Sequence, residues 1–208
     1  MKKVWGAVQL WVVILLALFV LSACAAREQV VLVRDPLSLS ESPEQGLGVH
    51  YYYEFYRHID HMPSDDSMLA KGTAGQAIPF LNHHFIDEEN VFGSSEAKGV
   101  GMLLTGYLKM TEPGEYRFQA MSNDGVRVTV GGQVVILDPT VHSDSLSKVG
   151  NFVVDSPSWH PLSVKYFQRK GTARLELYWQ PPGAAEFEII PAAAYGHLPG
   201  AAASLQID

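Results

Sequence analysis

"MSNDGVRVTVGGQVV", Met121 to Val135, carries the signals that decide the fold class. Val126, Val128 and Val130 alternate with Arg127 and Thr129, the period of a strand with one face in a core and the other toward solvent. Gly131-Gly132 ends that run, and Val134 to Leu137 returns. Two residues without a Cβ accept the positive backbone angles of a two-residue hairpin. Asn123-Asp124-Gly125, just upstream, admits two readings. Asn and Asp accept hydrogen bonds from nearby amides and hold a turn without any ligand; their side-chain oxygens are also the donors that a hard cation takes.

The same alternation extends outward in both directions. Tyr116, Phe118 and Ala120 point one way and Arg117, Gln119 and Met121 the other, behind a Glu112-Pro113-Gly114 turn and a strand from Gly101 to Met110. Downstream come Leu162, Val164 and Tyr166, a Lys170-Gly171 turn, then Leu175, Leu177 and Trp179. Val49 to Tyr56 is continuous and aromatic enough for a buried first strand. Closely spaced strands joined by short turns predict an all-β fold, an antiparallel β-sandwich or barrel. After Cys24 no stretch shows a helical period, and Arg57 to Glu96 is polar, punctuated by Gly and Pro, and shows neither period. The 208 residues suffice for one domain with a real core. A net charge of −7 with scattered Lys and Arg excludes a phosphate-neutralising surface, so nucleic acid is not an expected partner.

The N-terminus has the layout of a targeting segment: Met1-Lys2-Lys3, then an apolar run from Val4 to Val20. Leu21-Ser22-Ala23-Cys24 resembles a bacterial lipoprotein box, which implies cleavage before Cys24 and lipidation of its thiol. The alternative is an uncleaved membrane helix, since the uncharged run to Ala26 approaches the roughly 20 residues that span a bilayer. Cys24 is the only cysteine, so no intramolecular disulfide forms. Ala25 is not the Asp that marks inner-membrane retention, and the resemblance implies lipid anchoring at a bacterial outer membrane or cell surface. Residues 24–45, with Val30 to Val33, Pro36 and Pro43, are expected to be a tether with one short strand at most.

Several pieces occur in one order: Gly46-Leu47 before Tyr51-Tyr52-Tyr53-Glu54-Phe55; Leu104-Thr105-Gly106-Tyr107-Leu108; Gly114-Glu115-Tyr116-Arg117-Phe118; Ser122-Asn123-Asp124-Gly125-Val126; Val130-Gly131-Gly132; and Ala173-Arg174-Leu175-Glu176-Leu177-Tyr178-Trp179. The series resembles the PA14 domain, a β-barrel module of adhesins, glycosidases and flocculins. The resemblance divides the chain into a signal peptide (1–23), an anchored linker (24–45), a PA14-like domain (46–199) and a tail (200–208). It also implies carbohydrate recognition. In the flocculin-type lectins an aspartate pair at the position of Asn123-Asp124 binds a calcium ion that holds sugar hydroxyls. Here Asp124 matches and Asn123 replaces a carboxylate by an amide, which lowers the charge available to calcium. The second calcium loop of those lectins corresponds to Gln168-Arg169-Lys170-Gly171, where two cations oppose a metal. The resemblance thus carries Asn123 and Asp124 over as weak calcium candidates, with the loops at His142 to Ser145 and Gln168 to Gly171 beside them.

Sugar rings stack on aromatic faces, which makes Trp159 and Tyr107 candidate platforms; Trp179 closes an apolar face and is expected in the core. Asp65-Asp66 falls in the irregular region and is expected to be a solvated loop. His58, Asp60, His61, His83 and His84 lack a third ligand at a recognised spacing and are expected on the surface. Glu88-Glu89 sits in no hydrolase motif, and with only a signal and linker outside the barrel the expectation is a binding module, not an enzyme. Its partner is a glycan, or alternatively another envelope protein that docks on the β surface.

Overall fold

The structure, a computed structural model, describes residues 35–198. The signal segment, Cys24, the Val30 to Val33 run and the tail from residue 200 lie outside the described residues. The strands, in chain order, are β1 (Glu44–Gln45), β2 (Gly48–Tyr53), β3 (Thr73–Ala74), β4 (Asn82–Phe85), β5 (Val100–Met110), β6 (Gly114–Ser122) and β7 (Val126–Val130). They continue with β8 (Gln133–Asp138), β9 (Ser145–Leu146), β10 (Gly150–Val154), β11 (Ser158–Gln168), β12 (Ala173–Gln180), β13 (Glu188–Ile189) and β14 (Tyr195–His197). One sheet has the order β1-β14-β5-β11-β7-β8, with β2 paired to β5 and β3 to β2; the other has the order β10-β6-β12-β13, with β4 on β12 and β9 on β6. All the pairings are antiparallel. Of the two expected forms, the fold is therefore the sandwich and not a closed barrel.

The alternation read from the sequence places the core. Val126, Val128, Val130, Val164 and Tyr166 from the larger sheet meet Tyr116, Phe118, Ala120, Leu175 and Leu177 from the smaller one, all buried. Gly131 (φ 55°) and Gly132 (φ 83°) turn β7 into β8 as the Gly-Gly pair predicts. Part of the expected tether is built into the domain: Leu37 exchanges backbone hydrogen bonds with Trp159 at 2.8 and 2.9 Å, and β1 pairs with β14.

The region expected to be irregular contains a helix, α1 (Asp65–Lys71), of seven residues. Ser64 caps it by accepting from the Ser67 amide, acidic residues occupy its first turn and Lys71 its last, as the helix dipole favours. Met68 and Leu69 pack with Tyr56, Ile59, Met62, Leu103 and Phe167 as a second core on the outer face of the larger sheet. Asp65 is accordingly not a solvated loop residue. Arg127 and Lys165 face each other directly across β7 and β11, a like-charge pairing that is unfavourable by itself. Asp65 lies between them, accepting from Arg127 Nη2 at 2.7 and 2.6 Å and from Lys165 Nζ at 2.6 Å, while Lys165 also donates to the Pro63 carbonyl at 2.7 Å. Removing that carboxylate strands two partly buried cations. Asp65→Ala is expected to cost about 3 kcal/mol in chemical denaturation, against less than about 0.5 kcal/mol for exposed Asp66→Ala; equal losses would show that the ion cluster does not hold the helix.

Candidate functional site

The strand registers fix which residues share an end of the sandwich. β11 pairs with β5 over eleven residues, Ser158 with Met110 through to Gln168 with Val100, so its ends are about 33 Å apart. Asn123, Asp124 and Gln168 lie at the Gln168 end. Trp159 and Tyr107 lie toward the other, so the residues singled out from the sequence do not form one site. Nor do the two aromatics offer open faces: Trp159 is 6% exposed and Tyr107 3%. Leu37 runs beside Trp159, Lys109 Nζ lies 5.4 Å from its ring centroid, and the indole fits against Gly196, where a Cβ would approach it to 2.9 Å. Tyr107 sits between Pro161 and Gly196 of the flanking strands. Both are structural side chains, which corrects their assignment as sugar platforms.

At the far end, Asn123-Asp124-Gly125 is not a hairpin turn but the arch that carries the chain from β6 in the smaller sheet to β7 in the larger. Asp124 takes φ 64°, a left-handed conformation that Asp tolerates better than most residues. Gly125 has no Cβ because one would collide with the Phe167 ring and the Pro139 carbonyl. Three segments are tied to this arch. The Asn123 amide donates to the Arg174 carbonyl (3.0 Å), the Asp124 amide to the His142 carbonyl (3.0 Å), and the Arg169 amide to Asp124 Oδ2 (2.7 Å). The loops after β8 and β11 thus do converge on Asp124, as the sequence led one to expect. Gln168 is fully buried: its Nε2 donates to the carbonyls of Gly171 (3.1 Å) and Thr172 (2.8 Å), and its Oε1 accepts from the Tyr166 hydroxyl (3.3 Å). It closes the β11–β12 turn from within and is not exposed to a ligand.

The polar side chains around the arch are committed to one another. Asn123 Nδ2 donates to Asp144 Oδ1 at 3.1 Å, Arg174 Nη1 donates to Asp144 Oδ2 at 3.1 Å, and Arg174 Nε and Nη2 hold Glu176 at 2.7 and 3.0 Å. Tyr178 completes the chain by donating to Glu176 Oε2 at 2.6 Å. A guanidinium therefore supplies the positive charge beside the carboxylates. Calcium needs six to eight oxygens, and the residues do not fit it: Asp124 is 2% exposed with one oxygen taken by an amide, both Asp144 oxygens are used, and among the described residues no group of three or more His, Cys, Asp or Glu is placed to hold a metal. Asn123 and Asp124 are consequently scaffolding for the arch. Burial pushes the Asp124 carboxyl above its ordinary 3.8, partly offset by the Arg169 amide and by His142. Burial also acts to raise Asp144, but donation from Asn123 and Arg174 outweighs it and holds the group below its ordinary value.

The histidines divide. His84 is exposed as expected, but His83 is half-buried, stacked between Phe80 (5.1 Å) and Phe85 (5.6 Å) and bonded to the Phe80 carbonyl, and burial lowers its pKa. It lines a cavity of about 280 Å³ with Tyr51, Ile78, Phe85 and Phe92. Sequence reasoning passed over two residues at the Asp124 end. Arg174 is the clamp just described, and its place in a strand on the same face as Glu176 was a signal available in the sequence. Phe55 is 55% exposed and lies against Gly99, whose amide donates to the Arg169 carbonyl (3.1 Å).

An antiparallel sandwich whose β6–β7 arch gathers three loops at one end defines a class of small β modules. The PA14 domain profile matches residues 81–193, and the chain belongs to that family. Solved structures agree on the fold. The PA14 domain of the MpAFP antifreeze protein superposes with a TM-score of 0.59 at 16% identity, covering 77% of this chain and 95% of that one. A PA14 sugar-binding domain from an RTX adhesin gives 0.54 at 19%, covering 74% and 99%. The Epithelial Adhesin 6 A domain from Candida glabrata, in complex with Galb1-3GlcNAc, gives 0.56 at 13%, covering 79% and 93%. An anti-sigma factor domain-containing protein gives 0.61 at 18%; it and a second such protein, from Clostridium clariflavum, are longer, and this chain covers 50% and 47% of them. No curated protein matches the chain.

Two measurements check the reading of the arch. Millimolar calcium or a chelator is expected to leave the melting temperature unchanged within about 1 °C; a calcium-dependent rise abolished by Asp124→Ala would restore a metal to the site. Because burial raises the Asp124 pKa, the stability that this group contributes is complete below its unfolded value and lost as pH rises through the folded one. Asp124→Asn keeps an acceptor for the Arg169 amide and removes that dependence. Its melting temperature relative to the unsubstituted protein should climb between about pH 4 and pH 7; a constant difference would mean that Asp124 ionises in the fold at no cost.

Proposed function

We propose that this protein is a tethered extracytoplasmic binding module that recognises carbohydrate with the loops at the Asp124 end. The observation that carries the proposal is the polarity of the sandwich. Leu37 enters beside Trp159, and β1 and β14 pair at that same end, about 33 Å from the Asp124 arch. A chain lipidated at Cys24 would emerge from the membrane at the Trp159 end and present the Asp124 loops outward. The outward end is also where recognition loops belong on a rigid β scaffold. The names of the related structures support the ligand class, since they include a sugar-binding domain and adhesin domains in complex with disaccharides. The proposed location is a bacterial outer membrane or cell surface, and the proposed role is binding without catalysis.

A second reading rests on the opposite flank of the fold. β8 and β10 are the terminal strands of their sheets and carry exposed apolar side chains: Val134 and Leu137 on β8, Val153 on β10. The two edges lie against each other, and the apolar side chains exposed on them suit docking of another envelope protein.

A glycan array probed with the full chain decides between them, with and without calcium. Binding is expected in both conditions. It should be lost on substitution in the loops at residues 138–145 or 168–171 and retained on substitution of Val153. An array on which nothing binds, with folded protein, would sink the carbohydrate reading and leave edge docking.

A further inference from the structure

Several carboxylates at the Asp124 end have partners, while Glu54, Glu89 and Glu96 form no ion pair among the described residues. Asp138 faces His142 at 3.3 Å, Asp144 is held by Arg174 and Asn123, Asp124 by the Arg169 amide, and Asp87 and Glu88 by Lys98. Among the described residues neither Arg169 nor Lys170 forms an ion pair. The Asp124 carboxyl is raised by burial, with the Arg169 guanidinium only partly opposing that rise, and the Arg169 Nε is shielded from solvent and donates to nothing. A shielded N–H without an acceptor is rare in folded proteins and calls for a partner.

Lys170 Nζ stands 5.9 Å from the ring centroid of Phe55. That ring is 55% exposed although it is large and apolar. It rests on Gly99 (φ 65°), where a Cβ would come within 3.1 Å of the ring, and Gly99 is hydrogen-bonded to Arg169. One side of the phenyl is thus seated on backbone, the Lys170 ammonium stands beside it, and Arg169 is joined to the same spot through its carbonyl on Gly99. A flat apolar face beside donors without acceptors matches a molecule with an apolar C–H face and an anionic substituent on its rim.

We propose that Phe55, Arg169 and Lys170 form a subsite for an acidic sugar residue, with the pyranose C–H face on Phe55 and its carboxylate or sulfate held by Arg169 and Lys170. This rests on the carbohydrate reading of the Asp124 end and names the ligand class for it. The recognition is metal-free, because protein cations stand where a calcium ion would otherwise supply charge.

The test is calorimetric titration of the full chain with an oligogalacturonide and with a neutral galacto-oligosaccharide of equal length. The acidic oligomer is expected to bind about tenfold or more tightly than the neutral one, the worth of one good charge-assisted contact. Lys170→Gln and Arg169→Gln should erase that preference without weakening the neutral ligand. Phe55→Ala should weaken both; its side chain is exposed, so an unchanged melting temperature verifies folding. Equal affinity for the two oligomers would overturn the acidic subsite while leaving a glycan-binding module in place. Acidic binding that vanishes in about 1 M salt, where the screening length is about 3 Å, and that ignores Phe55→Ala would overturn it as mere ion exchange. Failure of both oligomers together with a blank array would overturn the carbohydrate reading itself.

Discussion

The antiparallel ladder between β5 and β11 is the constraint on which the rest of the molecule depends. Eleven residues of each strand pair without a shift, and because side chains alternate with a period of two, a slip of one residue would turn both strands inside out. The ladder's outer edges accept β2 and β14 on one side and β7 on the other. Its alternate faces carry the two cores: Leu104 and Tyr166 meet the smaller sheet, Leu103 and Phe167 meet α1. Its length also separates the two ends of the domain, so that the entry of the chain beside Trp159 and the arch at Asp124 are kept apart by rigid structure and not by a flexible linker.

How much of this was legible follows from how local each signal is. The alternation of β6, β7 and β12 and the Gly131-Gly132 hairpin were readable because each depends on a few neighbouring residues, and the order of these pieces carried the family resemblance. The helix Asp65–Lys71 was not, since seven residues make fewer than two full turns and give no period to detect. Trp159 is a candidate sugar platform in the sequence; its burial depends on Leu37 and Gly196, both remote in sequence. Asp65 belongs to an ion cluster only because β7 and β11 pair in a register that sets Arg127 opposite Lys165.

The candidate site was legible in the same uneven way. Its position was readable from Asn123-Asp124 and the basic loop at Arg169-Lys170, but its chemistry was not. Whether an Asn and an Asp serve a metal or a scaffold depends on what else reaches them. Here Asp144, Arg174 and the Arg169 amide come from three separate segments. Once Arg174 neutralises Asp144 and Glu176, a divalent ion would meet oxygens already bonded and a fixed positive charge a few ångströms away, which disfavours it. The amide at Asn123 fits this arrangement, since it donates to Asp144 where a second carboxylate would repel it.

Backbone strain is distributed unevenly between the two ends. Among the described residues, the non-glycine positions with positive φ are Glu88, Phe92 and Asp124. Glu88 and Phe92 lie in the segment between β4 and β5, and Asp124 lies between β6 and β7. The registers place both segments at the Gln168 end of the ladder. Glycines take positive φ at both ends, Gly114, Gly131 and Gly132 at the Trp159 end and Gly93, Gly99 and Gly171 at the other, so the difference lies in the non-glycine residues alone. Glycine takes positive φ at little cost, whereas other residues persist there only when the surroundings enforce it. A turn needed only to reverse the chain has no reason to spend that energy. The concentration of enforced conformations around Asp124, Phe92 and Glu88, beside Arg169 and Lys170, supports the proposal that recognition takes place at this end, and does so without appeal to calcium-binding relatives.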